Sequence, residues 1–467
     1  MNKQSNHEII AQKMRGEKLS PELQNTFLRA VSLAQAGDDG TIAETEITPV
    51  AELPDIETLD DYTAAGREAL QRAVMIKLNG GLGTSMGLEK AKSLLPVKNK
   101  SSFLEVIAQQ VINLRRHNDS PLPLIFMNSF RTEADTLEKL ASIAGLDVGQ
   151  AGVPYSFLQN KVPKLGAGDF LPATHDSDPA LEWCPPGHGD IYIALKQSGI
   201  LKQLIEAGYE YAFVSNADNL GASLDLNLLG YFSAGKMPFL MEVADRTVAD
   251  KKGGHVARRA DSDQLVLREV AQTRDEDLDQ FQDITRHRYF NTNSIWLNLP
   301  ALADILARHE GLIPLPIIVN RKTLDPTDKN SAPVIQLESA MGAAIEVFPG
   351  SQAIRVARNR FLPVKKTNDL LCLMSDLYTL DDNGVLHRNS TSPLPEIDLD
   401  ERFYKNIADF LARFPEGPPS LAECTALKIS GDIYFGKNVR LSGAVALESP
   451  ENTQRHIEND ATISGLA

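Results

Sequence analysis

Apolar residues change their spacing along this chain, and each spacing predicts a different element. Within residues 8–36, Leu23, Phe27, Leu28 and Val31 share a helical face, entered at Ser20-Pro21-Glu22 through a serine cap and a first-turn proline. Residues 37–62 are acidic and polar, hold Pro49 and Pro54, and read as connector. From residue 73 short apolar runs alternate with helical stripes. Residues 74–78 predict a strand, and 103–114 a helix with Leu104, Ile107, Val111 and Leu114 on one stripe and its cap near Ser102. Residues 122–127 predict a second strand, with Thr132 capping the helix after it; 198–207 predict a further helix and 211–215 a further strand. This alternation implies a mostly parallel sheet with helices on both faces, whose ligands bind outside the carboxyl ends of the strands.

The later chain reads as more antiparallel, with short strands at 239–243, 265–270 and 294–297 and a hairpin over 377–387 about Asp382-Asn383-Gly384. Near the C-terminus the period becomes six. Leu427, Ile433, Val439 and Val445 follow it, as do Ile429, Phe435, Leu441 and Leu447. That repeat matches either a parallel β-helix or a short meander. A small solenoid would serve docking or oligomer contact rather than chemistry.

A chain of 467 residues predicts two or three domains. Its net charge of −15 argues against a general nucleic-acid or anionic-membrane surface, but not against a phosphate ligand, for which a few local lysines suffice. Cys184, Cys372 and Cys424 are far apart and make no metal pattern, which points to a reducing cytoplasm. No signal peptide or membrane span is predicted.

Candidate chemistry begins at residues 77–87, Lys-Leu-Asn-Gly-Gly-Leu-Gly-Thr-Ser-Met-Gly, directly after an apolar run. Such a loop is either a tight turn or an anion cradle that offers bare N–H groups. It is not a P-loop, because Gly87 is followed by Leu88 and Glu89, and it fails the dinucleotide pattern at Met86. In Pro185-Pro186-Gly187-His188-Gly189-Asp190 the histidine is either a hydrogen-bond donor to a ligand or part of a structural turn. Asp218, within Asn216-Ala217-Asp218-Asn219 at a strand end, is either a Mg2+ ligand or the head of an Asx turn. Lys251-Lys252-Gly253-Gly254 is a candidate for a further anion contact. Arg355, Arg358, Arg360, Lys365 and Lys366 are either a solvated face or, where Phe361-Leu362-Pro363-Val364 frames the last two, aimed cations. Neither a serine-hydrolase elbow nor a zinc-protease motif occurs, so the residues favour polyphosphate binding over nucleophilic side-chain catalysis.

Taken together these segments resemble the eukaryotic-type UDP-glucose pyrophosphorylase family, the UTP–glucose-1-phosphate uridylyltransferases. The likeness rests on residues 77–87, Phe126-Met-Asn-Ser-Phe130, 185–190, 213–221, 252–254, Phe290-Asn-Thr-Asn293, Ile318-Val-Asn320, 322–325, 334–338 and 360–365, in family order. It implies an α/β fold: a Rossmann-like, GT-A-like mixed-sheet nucleotidyltransferase core over 69–385, an N-terminal helical segment over 1–68 and a left-handed parallel β-helix over 386–467. It further implies that Leu78, Asn79, Gly80 and Gly81 contact UTP, and that Met127, Gln159 and Gly187 surround uracil and ribose. Lys92 would hold the triphosphate. His188, Asn216, Ala217, Gly254, Asn291 and Asn293 would face the sugar phosphate, Asp218 the Mg2+ ion, and Lys365 the reacting phosphates. Two departures matter. Lys90-Ala91 precedes Lys92 where the family has Gly-Pro, and Lys366 stands where a neutral residue is usual. The implied reaction joins UTP and glucose 1-phosphate into UDP-glucose and pyrophosphate. An N-acetylhexosamine 1-phosphate or a broader sugar range remains open, as does a silent sugar-nucleotide sensor. Homo-oligomerisation through the C-terminal coil is a further expectation.

Overall fold

A ten-stranded sheet runs through the molecule, and its centre is built from the apolar runs visible in the sequence. The structure, a computed structural model, describes residues 5–147, 149 and 152–465. Strand Ala73–Asn79 pairs in parallel with Tyr211–Asn216 on one side and Leu124–Asn128 on the other, and Ser156–Leu158 extends this parallel half. Burial on both faces removes polar alternation, which is why Val74-Met75-Ile76 is continuously apolar. Met75, Phe213 and Trp296 enter the core on one face, and Val74, Ile76, Ala212 and Val214 the core on the other. The sheet turns antiparallel at Tyr289–Asn298, which pairs with both Tyr211–Asn216 and Phe239–Asp245. From there it continues to His255–Arg259 and Leu265–Arg268. The fold is thus mixed α/β, and the glycine loop and the Asn216–Asn219 turn do leave carboxyl ends of neighbouring parallel strands.

Helix Phe103–Asn118 starts at Ser102 with a full capping box: Ser102 N donates to Glu105 Oε2 (2.8 Å) and Glu105 N to Ser102 Oγ (3.3 Å). Thr132 departs from its expected role. It precedes helix Glu133–Ala141 without capping it through its side chain, because its hydroxyl donates to Asn79 O (2.8 Å) at the root of the glycine loop. The N-terminal pattern forms two helices, Asn6–Gly16 and Pro21–Gln35, the second entered at Ser20 as its cap. Within the acidic connector Ile47–Pro49 pairs antiparallel with His255–Arg259 and closes one sheet edge.

The C-terminal strands are parallel, which a meander cannot give. Glu396–Leu399, Ser420–Ser430, Arg440–Glu448 and Thr462–Ser464 form one sheet, and Asp432–Phe435 with Gln454–Ile457 another. Leu427 pairs with Val445 and Ile429 with Leu447, three hexads on. The next pairing, Ser442 with Ser464, is 22 positions on. The added residues lie at the turn closed by Thr453 N on Pro450 O, so the sequence period ends there.

Candidate active site

The glycine loop begins on a fixed root. Asn79 Nδ2 donates to Asn128 Oδ1 (2.7 Å) and Thr136 Oγ1 (2.8 Å), so this buried side chain anchors the loop and leaves the backbone to meet a ligand. Gly80 lies against Gln159; a Cβ there would sit 2.6 Å from Gln159 Oε1. Around Gly81 there is open space. Leu78 pairs with Met127 in the sheet, and the Met127 side chain is buried in the apolar layer below.

Two turns of the chain meet at Lys92. Its backbone N donates to Gly81 O (3.2 Å), and its Nζ to Asp218 Oδ2 (2.6 Å) and to Val364 O. The ammonium thus joins the glycine loop, the strand-end aspartate and the segment that leads to Lys365. Lys90, by contrast, is exposed. Asn219 fastens the same segment from below, with Nδ2 on Arg360 O (3.1 Å) and Oδ1 accepting from Leu362 N (2.8 Å). Ala217 N donates to Leu78 O (2.9 Å), which locks the two strand ends together.

The cation run from 355 to 366 divides cleanly. Arg355 pairs with Asp55, Glu57 and Asp245, Arg358 with Asp250, and Arg360 with the fully buried Glu242. Lys366 Nζ donates to Glu401 Oε1 (3.0 Å). Lys365 is exposed and makes no ion pair among the described residues, so it is the cation of this run left to meet an anion. Lys251 and Lys252 are also exposed. Their loop is shaped by Arg246, whose guanidinium donates to Lys251 O (2.7 Å), Asp250 O (3.2 Å) and Gly253 O (3.4 Å).

His188 sits where Gly187 (φ +83°) passes so close to Ser339 that a Cβ would lie 2.4 Å from its carbonyl oxygen. Met341 N donates to His188 Nδ1 (2.9 Å), so the ring proton is on Nε2. Desolvation pulls this imidazole down to about 4, and it is a neutral donor at neutral pH. Asp190 accepts from Asn160 N (2.6 Å) and Nδ2 (2.8 Å), which fixes the residue after Gln159; burial pushes its carboxyl up to about 6.

A β-bulge aims Asn293. The register between Phe239–Asp245 and Tyr289–Asn298 shifts at Glu242/Val243, and Asn293 adopts φ 60° there. Its Nδ2 donates to Asn216 Oδ1 (2.9 Å), while its buried Oδ1 has no partner among the described residues. An orphaned buried acceptor beside an asparagine suits a hydroxyl-bearing ligand. Asn291 N donates to Gly254 O (2.9 Å), and Gly254 abuts Glu269: a Cβ would lie 2.5 Å from its Oε2. Glu269, which the apolar pattern places within a strand running to 270, abuts Gly254 instead. The strand ends at Arg268. Desolvation raises the Glu269 carboxyl, and the nearby Lys365 opposes that rise. A charged residue closing an apolar strand was the available signal.

Among the described residues no three His, Cys, Asp or Glu side chains group as a metal site, and no helix is long and apolar enough to cross a membrane. Loop amides and lysines gathered at the ends of parallel strands suit an α/β enzyme that acts on the phosphates of a nucleotide. A family model described as UTP–glucose-1-phosphate uridylyltransferase matches residues 24–442, and the chain belongs to that family of nucleotidyltransferases. The UTP–glucose-1-phosphate uridylyltransferase of Solanum tuberosum is 38% identical over 410 residues, covering 87% of this chain and 83% of that protein. A variant UDP-glucose pyrophosphorylase from Leishmania major, crystallised in complex with UDP-glucose, superposes with a TM-score of 0.91 at 39% identity, covering 100% of this chain and 99% of that one. A crystal structure described as UDP-glucose phosphorylase from Trypanosoma brucei gives 0.87 at 40% identity, covering 99% and 100%.

Proposed function

We propose that this chain transfers UMP from UTP to glucose 1-phosphate, giving UDP-glucose and pyrophosphate. The observation that carries the reading is the Lys92–Asp218 contact (2.6 Å), which brings the glycine loop and a strand-end carboxylate together beneath the lysine segment. UTP lies along the glycine loop, with its base towards Gln159 and Gly187 and its phosphates on the loop amides. Glucose 1-phosphate lies against Asn216, Gly254, Glu269, Asn291 and Asn293. Its phosphate oxygen is already ionised near neutral pH, so no side chain has to remove a proton. That oxygen bonds to the α-phosphorus as the bond from the α-phosphorus to the β-bridging oxygen breaks, and pyrophosphate leaves. Two polyanions must approach each other, so the side chains supply charge and donors. Lys92 and Lys365 offset the phosphate charge, and the neutral Nε2–H of His188 gives a hydrogen bond without its own counter-charge.

Asp218 fits a magnesium ion. Lys92 holds Oδ2, and one carboxylate suffices where substrate phosphates complete the coordination. When bound, Mg2+ would neutralise phosphate charge and fix the triphosphate geometry. The core is assigned a GT-A-like arrangement, and the parallel C-terminal strands a left-handed β-helix, a candidate surface for self-association. Three unpaired cysteines suit the cytoplasm.

Pyrophosphate release, measured with UTP, Mg2+ and a panel of sugar 1-phosphates, tests the assignment. Release confined to glucose 1-phosphate is expected. Release with N-acetylhexosamine 1-phosphates instead, or with none, would replace it by the wider-sugar or sensor reading.

A further inference from the structure

Directly below the cleft lies a buried charge cluster that the proposed chemistry does not use. Lys77 is fully buried in strand Ala73–Asn79. Its ammonium donates to Ser215 Oγ (2.7 Å) and Ala222 O (2.7 Å) and lies 5.6 Å from the centre of the Phe213 ring. Ser215 is the residue before Asn216, and Ala222 follows the turn. One ammonium therefore grips the loop that carries Asn216, Asp218 and Asn219 at both ends. Arg360 completes the footing. Its Nε and Nη2 donate to the Glu242 carboxylate (2.8 Å each), and Nη2 donates to Ser223 O (2.9 Å). Trp296 Nε1 holds Glu242 Oε1 (2.9 Å). Arg360 is also where the lysine segment begins, through its carbonyl on Asn219.

Stability alone does not ask for this arrangement. Burying the Arg360–Glu242 pair carries a desolvation cost of several kcal/mol per ion, and burial also pulls the Lys77 amine down to about 7, whereas apolar side chains of similar volume are often as stable. Lys77 follows the apolar run Val74-Met75-Ile76 and lies against the Phe213 ring in a core layer. What the cluster adds is a fixed separation between two chain turns: residues 216–223, bearing Asp218, and residues 360–364, bearing the carbonyl that binds Lys92 and leading into Lys365.

We propose that Lys77, with Arg360 and Glu242, is a positioning residue for the transfer reaction. It sets the Asp218 loop against the lysine segment without touching substrate. The proposal rests on the assignment of Asp218 and Lys92 to UTP. It predicts that Lys77→Met lowers kcat by about 10²-fold, the loss that follows a misplacement of roughly an ångström, while KM for each substrate moves less than about threefold. Ser215→Ala removes one of the two acceptors and gives a smaller loss. The double variant loses no more than Lys77→Met alone, because both changes cut one connection. A folded Lys77→Met enzyme with wild-type kcat overturns the proposal, and so do losses that multiply in the double variant. If Lys77→Met does not fold, an unchanged kcat in Ser215→Ala overturns it. Lys92→Ala separates the two levels. Full activity in Lys92→Ala removes the UTP assignment, whereas a loss there with none in Lys77→Met removes only the positioning role.

Discussion

Two neighbouring lysines, alike in sequence, differ in what they have left to bind. Lys366 spends its ammonium on Glu401 at 3.0 Å, while Lys365 is exposed beside Glu269 and the cleft. Lys365→Ala should lower kcat by about 10²–10³-fold, the scale for removing a group that stabilises transition-state charge. Lys366→Ala should stay within about twofold, as an exposed ion pair contributes little. Steady-state kinetics of both enzymes decide this, and equal losses would show that the two side chains share the task. The sequence could not make the distinction, nor could it show that the three arginines before these lysines are neutralised. Their carboxylate partners lie far off in the chain; Asp55 is 300 positions from Arg355. Glu269 was hidden for another reason: it lies only 15 positions from Gly254, but its place beside that glycine exists only once the two strands pair. Local backbone features were legible as such: the loop after strand Ala73–Asn79, the glycines about His188 and the turn after Tyr211–Asn216 that holds Asp218.

Elements were legible where their signal repeats locally. The buried strand at 73–79, the stripe of Phe103–Asn118 with its Ser102 box and the C-terminal hexads all carry their pattern within a few turns of chain. Ile47–Pro49 carries none: it is a short edge strand whose partner, His255–Arg259, lies across the sheet. Thr132 shows how a local rule is overruled. It has a cap's sequence position, yet its hydroxyl reaches Asn79 O, 53 residues away, and accepts from Ser129 N (2.9 Å). The helix end gives up a side-chain cap so that the strand-to-loop junction is pinned. Thr132→Val keeps the shape and removes both bonds, leaving buried groups unpaired at a cost of about 1–3 kcal/mol. Denaturant unfolding should show a lower midpoint at unchanged slope, with KM for UTP raised, while Thr132→Ser stays near wild type. A Val variant as stable as the parent would mean that the hydroxyl holds nothing.

Across the whole molecule, acid stability should carry the imprint of two opposed groups in one loop. In the folded protein His188 titrates at about 4 rather than 6.5, so between those values only the unfolded chain holds its proton. Stability from this group is complete above pH 6.5 and is lost as pH falls towards 4. Asp190 runs the other way. Folded, its carboxyl titrates at about 6 rather than 3.8, so between those values the folded protein keeps a proton that the unfolded chain has released. Its contribution falls as pH rises through that window. Across pH 4 to 6 the two slopes offset, and neither is visible in the wild-type curve alone. Asp190→Asn removes one of them. The variant's unfolding free energy relative to wild type should then rise with pH between 4 and 6, by about 1.4 kcal/mol per pH unit where Asp190 would hold its full proton difference. Urea unfolding of both proteins at half-unit steps measures that difference directly. Parallel curves would mean that Asp190 is ionised in the folded protein throughout, and that its hydrogen bonds from Asn160 outweigh its burial. The loop that carries His188 would then be held by a charge, and its hold on the residues beside Gln159 would weaken only below pH 4.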